Sequence, residues 1–192
     1  MIDTKQMRME NPIRIAELDP MNTLISIGLD EKAVICDIGA GSGIFTLPAA
    51  KITKNKVFAL EIDDEMLRVI GEKAKNEELA NIELIKVEDE KVAIEDNTVD
   101  FVLMVTVLHE IENKAVFLRE VKRLLKNNGK VLVIEFHKRE TPIGPPVPHR
   151  IEKEEVKNVM GDVGFLISEE FDLGDNYYCL IFLNDGKKNE LL

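Results

Sequence analysis

The fold is decided by the stretch VICDIGAGSGIF, residues 34–45, in which an apolar run passes directly into a glycine-rich turn. The run Ala33–Ile38 is typical of a strand buried on both faces, and residues 44–53 have helical spacing. Glycines allow a sharp turn and a close approach to a ligand, and the following helix presents its N-terminal amides to that ligand. The three glycines are Gly39, Gly41 and Gly43.

The alternation of strand and helix continues along the chain. Four further strands are predicted over Lys56–Ile62, Asn81–Val87, Val99–Val107 and Lys130–Phe136. Helices are predicted over Asp64–Asn76 and Ala115–Leu125, the second closed by a C-cap at Asn127, Asn128 and Gly129. Strands alternating with helices at this spacing favour right-handed crossovers and a doubly wound parallel sheet with helices on both faces.

The C-terminal part of the chain has a different pattern. A helix over Glu154–Gly161 precedes two strands, Phe165–Phe171 and Tyr177–Leu183, which only a short turn separates. That turn is too short for a parallel crossover, so we expect an antiparallel hairpin. The predicted fold class is therefore α/β, mostly parallel with a C-terminal antiparallel hairpin.

The length of 192 residues predicts one domain, 1–192. It divides into an N-terminal lid segment, 1–30, with short helical turns broken at Pro12 and Pro20, a core, 31–183, and a tail, 184–192. Cys36 and Cys179 lie in apolar runs and are expected to be reduced core residues rather than a disulfide or zinc ligands.

The net charge and the hydropathy of the chain indicate which kind of partner and which location to expect. The 25 basic and 36 acidic side chains give a net charge of −11, which would repel nucleic acid and favours a small-molecule partner. The N-terminus lacks an apolar signal region, and no apolar stretch approaches the roughly 20 residues needed to cross a bilayer. A cytoplasmic location without stable membrane insertion is expected.

The spacing of the glycines disfavours a nicotinamide dinucleotide. The fingerprint G-x-G-x-x-G would need a third glycine at position 44, where Ile44 stands, and a start two residues later fails at Thr46. Asp37, just before the turn, suits an ammonium group better than a pyrophosphate. A nicotinamide-dependent oxidoreductase remains a third hypothesis, which a binding titration would settle.

The motif D-I-G-A-G-S-G, residues 37–43, resembles the first motif of class I S-adenosylmethionine-dependent methyltransferases. The resemblance implies a Rossmann-like fold and S-adenosylmethionine as cofactor. It also implies that the three glycines hold the methionine moiety and that Asp37 places its ammonium group.

The same resemblance extends to the second and third strands. Glu61, about twenty residues after the glycines, matches the position that binds the ribose hydroxyls, and Ile62 and Met66 follow where the adenine packs. Glu88 matches the usual acceptor for the adenine amino group, with the backbone amide of Asp89 contacting the ring. Many members have Asp where this chain has Glu88, so the side-chain role is less firmly implied there.

The segment VTVLHEI, residues 105–111, follows the fourth strand, at the edge of the sheet where ligands bind. Its Leu-His-Glu arrangement resembles quinone-biosynthesis-like, type 11 small-molecule methyltransferases, and implies that the backbone of Thr106 lies beside the sulfonium. The Asn-Pro-Pro-Tyr motif of methyltransferases acting on nucleic-acid bases is absent.

The proline-rich segment 141–151 has a Gly-Pro-Pro loop before an Arg-Ile helix start, and it is similar to a segment of the same subgroup. The alternative interpretation is that this segment is a rigid connector to the next helix.

The three histidines follow the carboxyl ends of the fourth and fifth strands: His109, His137 and His149. We expect His109 or His149 to act as a base or to orient the acceptor, with an ordinary, partly exposed side chain as the equal alternative. Their spacing does not favour a metal site.

The predicted function is transfer of a methyl group from S-adenosylmethionine to an unidentified small molecule by in-line displacement, in which alignment and exclusion of water are the enzyme's main tasks. The alternative is a protein that binds S-adenosylmethionine or S-adenosylhomocysteine without turnover. The chain has no bulky inserted substrate domain, so the acceptor site is either open or completed by a second subunit of a homodimer.

Overall fold

The computed structural model describes residues 4–88 and 92–185. The chain separates into two compact units, Met1–Glu88 and Asp89–Leu192. Each unit has its own strands, and each contains part of the predicted site. The expected single-domain division into lid, core and tail stays a prediction, and residues 186–192 of the tail lie outside the described residues.

The first unit is built on three parallel strands. They are β1 (Ile35–Ile38), β2 (Val57–Glu61) and β3 (Ile82–Lys86), in the spatial order β3-β2-β1. Every residue of β1 and β2 is buried, as expected for the continuous apolar runs of a parallel sheet. The carboxyl ends of these strands carry the glycine turn and Glu61.

Over residues 4–88 the first unit has five helices. They are α1 (Thr4–Met9), α2 (Pro12–Leu18), α3 (Pro20–Ser26), α4 (Thr46–Ile52) and α5 (Asp64–Asn76). Pro12 and Pro20 each occupy the first position of a helix, where the missing N–H has no partner to lose. The two prolines therefore start helices in the N-terminal segment. Asp63 caps α5 by accepting a hydrogen bond from the Glu65 N–H at 3.0 Å.

The second unit is built on four strands. They are β4 (Val99–Val105), β5 (Leu125–Phe136), β6 (Phe165–Leu173) and β7 (Tyr177–Asn184), in the order β4-β5-β7-β6. β4 and β5 pair in parallel, whereas β7 pairs antiparallel with both β5 and β6. The helices are α6 (Lys114–Leu124) and α7 (Lys153–Asp162), with short 3-10 turns at Leu108–Glu110 and Val147–His149. The predicted fold class, including the C-terminal hairpin, is confirmed.

One predicted boundary is wrong. The expected C-cap at Asn127, Asn128 and Gly129 does not exist, because α6 ends at Leu124 and the chain continues directly into β5. Leu125 is extended and pairs with Val99, and the pairing shifts register before it resumes further along β4. Asn128 has the positive φ of 64° that a helix cap would also show, so the residue type alone could not separate a cap from an irregular strand.

Cys36 and Cys179 are free and buried, so the prediction that they lie in the core is confirmed. Burial raises the pKa of both thiols, so neither is a nucleophile at neutral pH. Within the described part of the chain, no helix has the length and apolar character that crossing a bilayer requires.

The proline-rich loop after β5 is organised by the buried guanidinium of Arg150. Its nitrogens donate to four main-chain carbonyls of the loop, and its Cζ lies 5.0 Å from the ring centre of Phe136. The four acceptors are the carbonyls of Arg139 at 2.7 Å, Pro145 at 2.8 Å, His137 at 2.9 Å and Ile143 at 3.3 Å. Arg150 therefore holds the loop, and it lies before α7, which begins at Lys153, one residue before the predicted start at Glu154.

We expect Arg150→Lys to lower the free energy of unfolding by about 2–4 kcal/mol, because an ammonium group cannot reach several buried carbonyls of the loop at once. Urea denaturation followed by circular dichroism measures this. Arg68→Lys, at an exposed arginine of α5, is the matched control and should change stability by less than about 1 kcal/mol. Equal effects of the two substitutions would contradict the role of Arg150.

Candidate functional site

The glycine turn is fixed against the end of β2. The amides of Gly39 and Ala40 both donate to the carbonyl oxygen of Leu60, at 2.9 and 3.0 Å. The amide of Gly43 then donates to the carbonyl of Ala40 at 2.9 Å, which closes the turn before α4. The turn is therefore a preformed backbone structure and not a loose loop.

All three glycines of this turn have a positive φ, 67° at Gly39, and two of them also have close neighbours. Gly41 and Gly43 have positive φ values of 54° and 82°, in a region that other residues rarely adopt. A Cβ on Gly43 would lie 2.5 Å from Cδ1 of Leu47 and 3.1 Å from Cγ1 of Ile70, so the first turn of α4 and the face of α5 leave no room for it. At Gly41 the nearest atom would be the Met9 sulfur, at 2.9 Å.

Glu61, the last residue of β2, joins the strand end to the turn. Its carboxylate is only 6% exposed, and its Oε2 accepts the amide of Gly41 at 2.8 Å. Its Oε1 accepts the amides of Ile62 and Asp63, at 2.9 and 3.1 Å. Three backbone amides thus satisfy this buried carboxylate, which lies where the sequence predicts a ribose contact.

Asp37, on β1, is the second buried carboxyl group of this unit, with 2% exposure. Burial raises the pKa of Asp37 to about 6, and the negative charge of Glu61 adds to this rise. The hydroxyl of Thr46 opposes the rise, because it donates a hydrogen bond to Oδ2 of Asp37 at 2.5 Å. Sequence reasoning missed Thr46; the available signal was a hydroxyl residue at the start of the helix after the turn. Two buried carboxyl groups beside one glycine turn create a site that prefers a cationic ligand.

The other predicted cofactor residues of the first unit have different environments. Ile62 is 68% exposed, and Met66, on the buried face of α5, is completely buried. Glu88 is exposed, after the end of β3, and Asp89 lies outside the described residues. The structure therefore leaves Ile62 and Glu88 accessible to a ligand, whereas the side chain of Met66 is part of the packing.

The N-terminal helix α1 packs on the glycine turn. Besides the approach of Met9 to Gly41, Lys5 donates to Asp63 at 2.7 Å, at the cap of α5. Just beyond α1, Glu10 pairs with Lys73 at 2.5 Å, and the same ammonium group donates to the Ser42 carbonyl of the turn at 2.8 Å. The predicted lid segment thus contacts the turn directly.

In the second unit, Thr106 directly follows β4 and has a strained backbone. Its φ is 55°, which is rare for a β-branched residue, and its amide donates to the carbonyl of Ile134 at 2.7 Å. Backbone strain of this kind persists only where the surrounding structure holds it and is concentrated at functional sites. The strain lies at the residue whose backbone was predicted to face the sulfonium.

His109 is held by a buried carboxylate that sequence reasoning missed. Its Nδ1 lies 2.7 Å from Oε2 of Glu135, and its backbone amide donates to Oε1 of the same carboxylate at 3.1 Å. Glu135 is 1% exposed, near the end of β5. The available signal was an acidic residue inside the otherwise apolar run VLVIEF, residues 131–136.

The other two histidines have different surroundings. His149 is exposed in the turn Val147–His149, where its amide donates to the Pro146 carbonyl at 2.9 Å. His137 is half-buried, and its Nε2 lies 3.4 Å from Oδ1 of Asp172. Residues 4–88 and 92–185 contain no group of three or more His, Cys, Asp or Glu side chains arranged to hold a metal ion.

Comparison with known proteins identifies the family of this chain. The family model for the methyltransferase domain matches residues 36–133, about half of the chain, from β1 through most of β5. The chain belongs to this methyltransferase domain family. The predicted resemblance to class I methyltransferases of the small-molecule type is confirmed, and the match begins within the glycine-motif strand.

Named relatives agree with this assignment. The ubiquinone/menaquinone biosynthesis C-methyltransferase of Klebsiella pneumoniae is 27% identical over 182 residues, covering 86% of this methyltransferase and 70% of the relative. The protein of the same name from Pasteurella multocida is 31% identical over 137 residues, covering 62% of this chain and 51% of its own.

A solved structure extends the agreement to the fold. The structure of an S-adenosylmethionine-dependent methyltransferase from Aquifex aeolicus has a TM-score of 0.86 at 29% identity, covering 91% of this chain and 94% of that one. The predicted Rossmann-like class is thereby confirmed. The protein is an S-adenosylmethionine-dependent methyltransferase of the small-molecule type, as the sequence predicts.

We expect Asp37→Asn to stabilise the ligand-free methyltransferase at pH 8. Because the pKa of Asp37 is raised from 3.8 to about 6, its stabilising contribution is complete below pH 3.8 and is lost as the pH rises through about 6. The substitution removes the free-energy cost of ionising this buried carboxyl group, which is at most about 3 kcal/mol at pH 8 and about half of that at pH 5.

Urea denaturation at both pH values measures this gain. Asp64→Asn, at an exposed carboxylate of α5, is the matched control and should change stability by less than about 1 kcal/mol at either pH. A gain at Asp37 that does not depend on pH would show that its carboxyl group does not titrate in this range.

Proposed function

We propose that the first unit binds S-adenosylmethionine at the glycine turn, with Asp37 and Glu61 as its two anionic contacts. The observation that carries this proposal is the pair of buried carboxyl groups beside a turn in which a Cβ at position 43 has no space. S-adenosylmethionine carries an ammonium and a sulfonium group, so these residues fit it. A carboxylate has about four acceptor sites, so the three amides bound to Glu61 leave acceptor capacity for a ribose hydroxyl.

Individual residue roles follow from the family resemblance. Gly39, Gly41 and Gly43 hold the methionine moiety, Asp37 binds the ammonium group and Glu61 binds the ribose. The adenine lies against Ile62, whose high exposure supports this role, with Glu88 and the amide of Asp89 as polar contacts. Met66 supports the adenine site from the core rather than by an exposed contact. The backbone of Thr106 contacts the sulfonium, which gives its strained conformation a function.

The bound cofactor supplies an activated methyl group for in-line displacement. The chain's own residues align the ligands and exclude water. The N-terminal helix α1 serves as a lid in this proposal, because Met9 packs against Gly41 of the turn and Lys5 pairs with Asp63 at the N-cap of α5. The ion pairs Lys5–Asp63 and Glu10–Lys73 link this segment to α5 and its N-cap.

The acceptor that we propose is a hydroxylated aromatic ring. This proposal rests on the names of the relatives, which are C-methyltransferases of quinone biosynthesis, and on the net charge of −11, which disfavours nucleic acid. His109 acts at the acceptor, and His149 is its alternative. A cytoplasmic location and a homodimer stay predictions.

Isothermal titration calorimetry tests the cofactor assignment. Wild-type protein should bind S-adenosylmethionine and S-adenosylhomocysteine, and NADH should not bind. We expect Glu61→Gln to weaken both by about 10–100-fold, because it removes a buried charged acceptor. Glu83→Gln, at an exposed glutamate of β3 in an ion pair with Lys56, is the matched control and should bind like wild type.

Thermal unfolding of each variant separates loss of binding from loss of fold. Failure of the wild-type protein to bind either ligand would contradict the cofactor assignment, and unchanged affinity in Glu61→Gln would contradict the ribose contact. Release of S-adenosylhomocysteine in the presence of a panel of hydroxylated aromatic rings measures turnover. Binding without turnover on any of these rings would favour the alternative of a non-catalytic binding protein.

A further inference from the structure

The pair formed by His109 and Glu135 has a geometry that determines which ring nitrogen carries a proton. The carboxylate contacts His109 twice, at Nδ1 and at the backbone amide, over 2.7 and 3.1 Å. When this carboxylate is ionised it can only accept hydrogen bonds, and Nδ1 is then the donor. In the neutral ring, the lone pair is then on Nε2, whereas a free imidazole in water prefers the opposite tautomer.

We propose that Glu135 is a positioning residue that holds His109 in the Nδ1–H tautomer, with Nε2 as the base for an acceptor that must lose a proton. This inference rests on the proposed function, because it assigns a role to His109 in methyl transfer. It also defines the substrate class, namely acceptors with a removable proton on the reacting atom or on a conjugated hydroxyl. Thioethers and tertiary amines, which need no base, are outside that class.

The placement of the pair supports a role in chemistry. Glu135 is near the carboxyl end of β5, and His109 lies in the turn Leu108–Glu110 directly after β4. The carboxyl ends of parallel strands are where ligands bind in this kind of fold. The His109 side chain retains 9% exposure whereas Glu135 has 1%, so the histidine is the more accessible member.

The charged groups around the ring set its proton affinity. Burial lowers the pKa of His109, but the hydrogen bond and charge of Glu135, with a smaller contribution from Glu110, raise it above its ordinary value; Lys114 opposes them. Glu110 Oε1 is 3.8 Å from Nε2, beyond hydrogen-bond distance, and its side chain is 69% exposed. Glu135 is therefore the carboxylate that controls the ring.

The proposed step is balanced in atoms and charge. The acceptor transfers its proton to Nε2 of His109 and directs the freed electron pair to the methyl carbon. The electron pair of the broken carbon–sulfur bond stays on sulfur, so the cationic sulfonium becomes a neutral thioether. The imidazolium is stabilised by Glu135 and returns its proton to water.

Nitrogen-15 NMR of histidine-labelled protein tests the positioning role without turnover. The chain has three histidines, and His137→Gln and His149→Gln assign the His109 signals by elimination. We expect the neutral His109 ring to show the Nδ1–H tautomer and to titrate with a raised pKa. Glu135→Gln should lower that titration midpoint by about one pH unit, because it removes the charge that stabilises the imidazolium.

Glu110→Gln is the matched control, since it makes the same change at the exposed neighbouring glutamate and should shift the midpoint by less than half as much. An Nε2–H tautomer in the wild-type protein would overturn the proposal, and this measurement needs no variant to fold. An unchanged midpoint in a folded Glu135→Gln protein would also overturn it.

Turnover adds a second readout once an acceptor is found. The acid limb of the kcat profile should move to lower pH in Glu135→Gln, because the base then loses its proton at lower pH. A merely structural role would lower kcat without moving that limb, and this result would overturn the proposal. Calorimetric binding of S-adenosylmethionine tests the proposed function separately, so failure of the cofactor site and failure of the histidine pair are distinguishable.

Discussion

The hydrogen bond from the Gly41 amide to the Glu61 carboxylate is the interaction on which the first unit of this methyltransferase depends. It spans twenty positions of sequence and joins the turn after β1 to the end of β2. The other carboxylate oxygen accepts two amides of the segment that leads into α5. Because a buried carboxylate is costly unless its lone pairs are satisfied, these contacts hold strand, turn and helix in one arrangement.

A common principle connects this carboxylate with two others. Asp37, Glu61 and Glu135 are all almost completely buried, and each lies on a strand at or near its carboxyl end. Each is satisfied differently, by the Thr46 hydroxyl, by backbone amides and by the His109 ring. In the site that we propose, Asp37 and Glu61 contact the cofactor, and Glu135 orients the ring of His109.

Stability and function compete at two of the positions described here. The raised pKa of Asp37 shows that ionising this group in the ligand-free protein is unfavourable, although a cationic ligand would favour the ionised form. The positive φ of Thr106 likewise strains a β-branched residue in the second unit. Local costs of this kind are expected where a site is arranged for a ligand before that ligand binds.

The sequence by itself determined the fold class, the family and the glycine turn with its acidic partners. These features depend on local patterns: buried strands are continuous apolar runs, and a turn that excludes side chains needs glycines at fixed spacing. The helix Asp64–Asn76 was also predicted to the residue, because its cap and its apolar face are both local. Tertiary structure alone decided that residues 125–129 extend β5, since the pairing of Leu125 with Val99 overrides the cap chemistry of Asn128. It also decided that Glu135 pairs with the ring of His109 through a hydrogen bond. The two residues are twenty-six positions apart, and only the folded second unit brings them within hydrogen-bond distance.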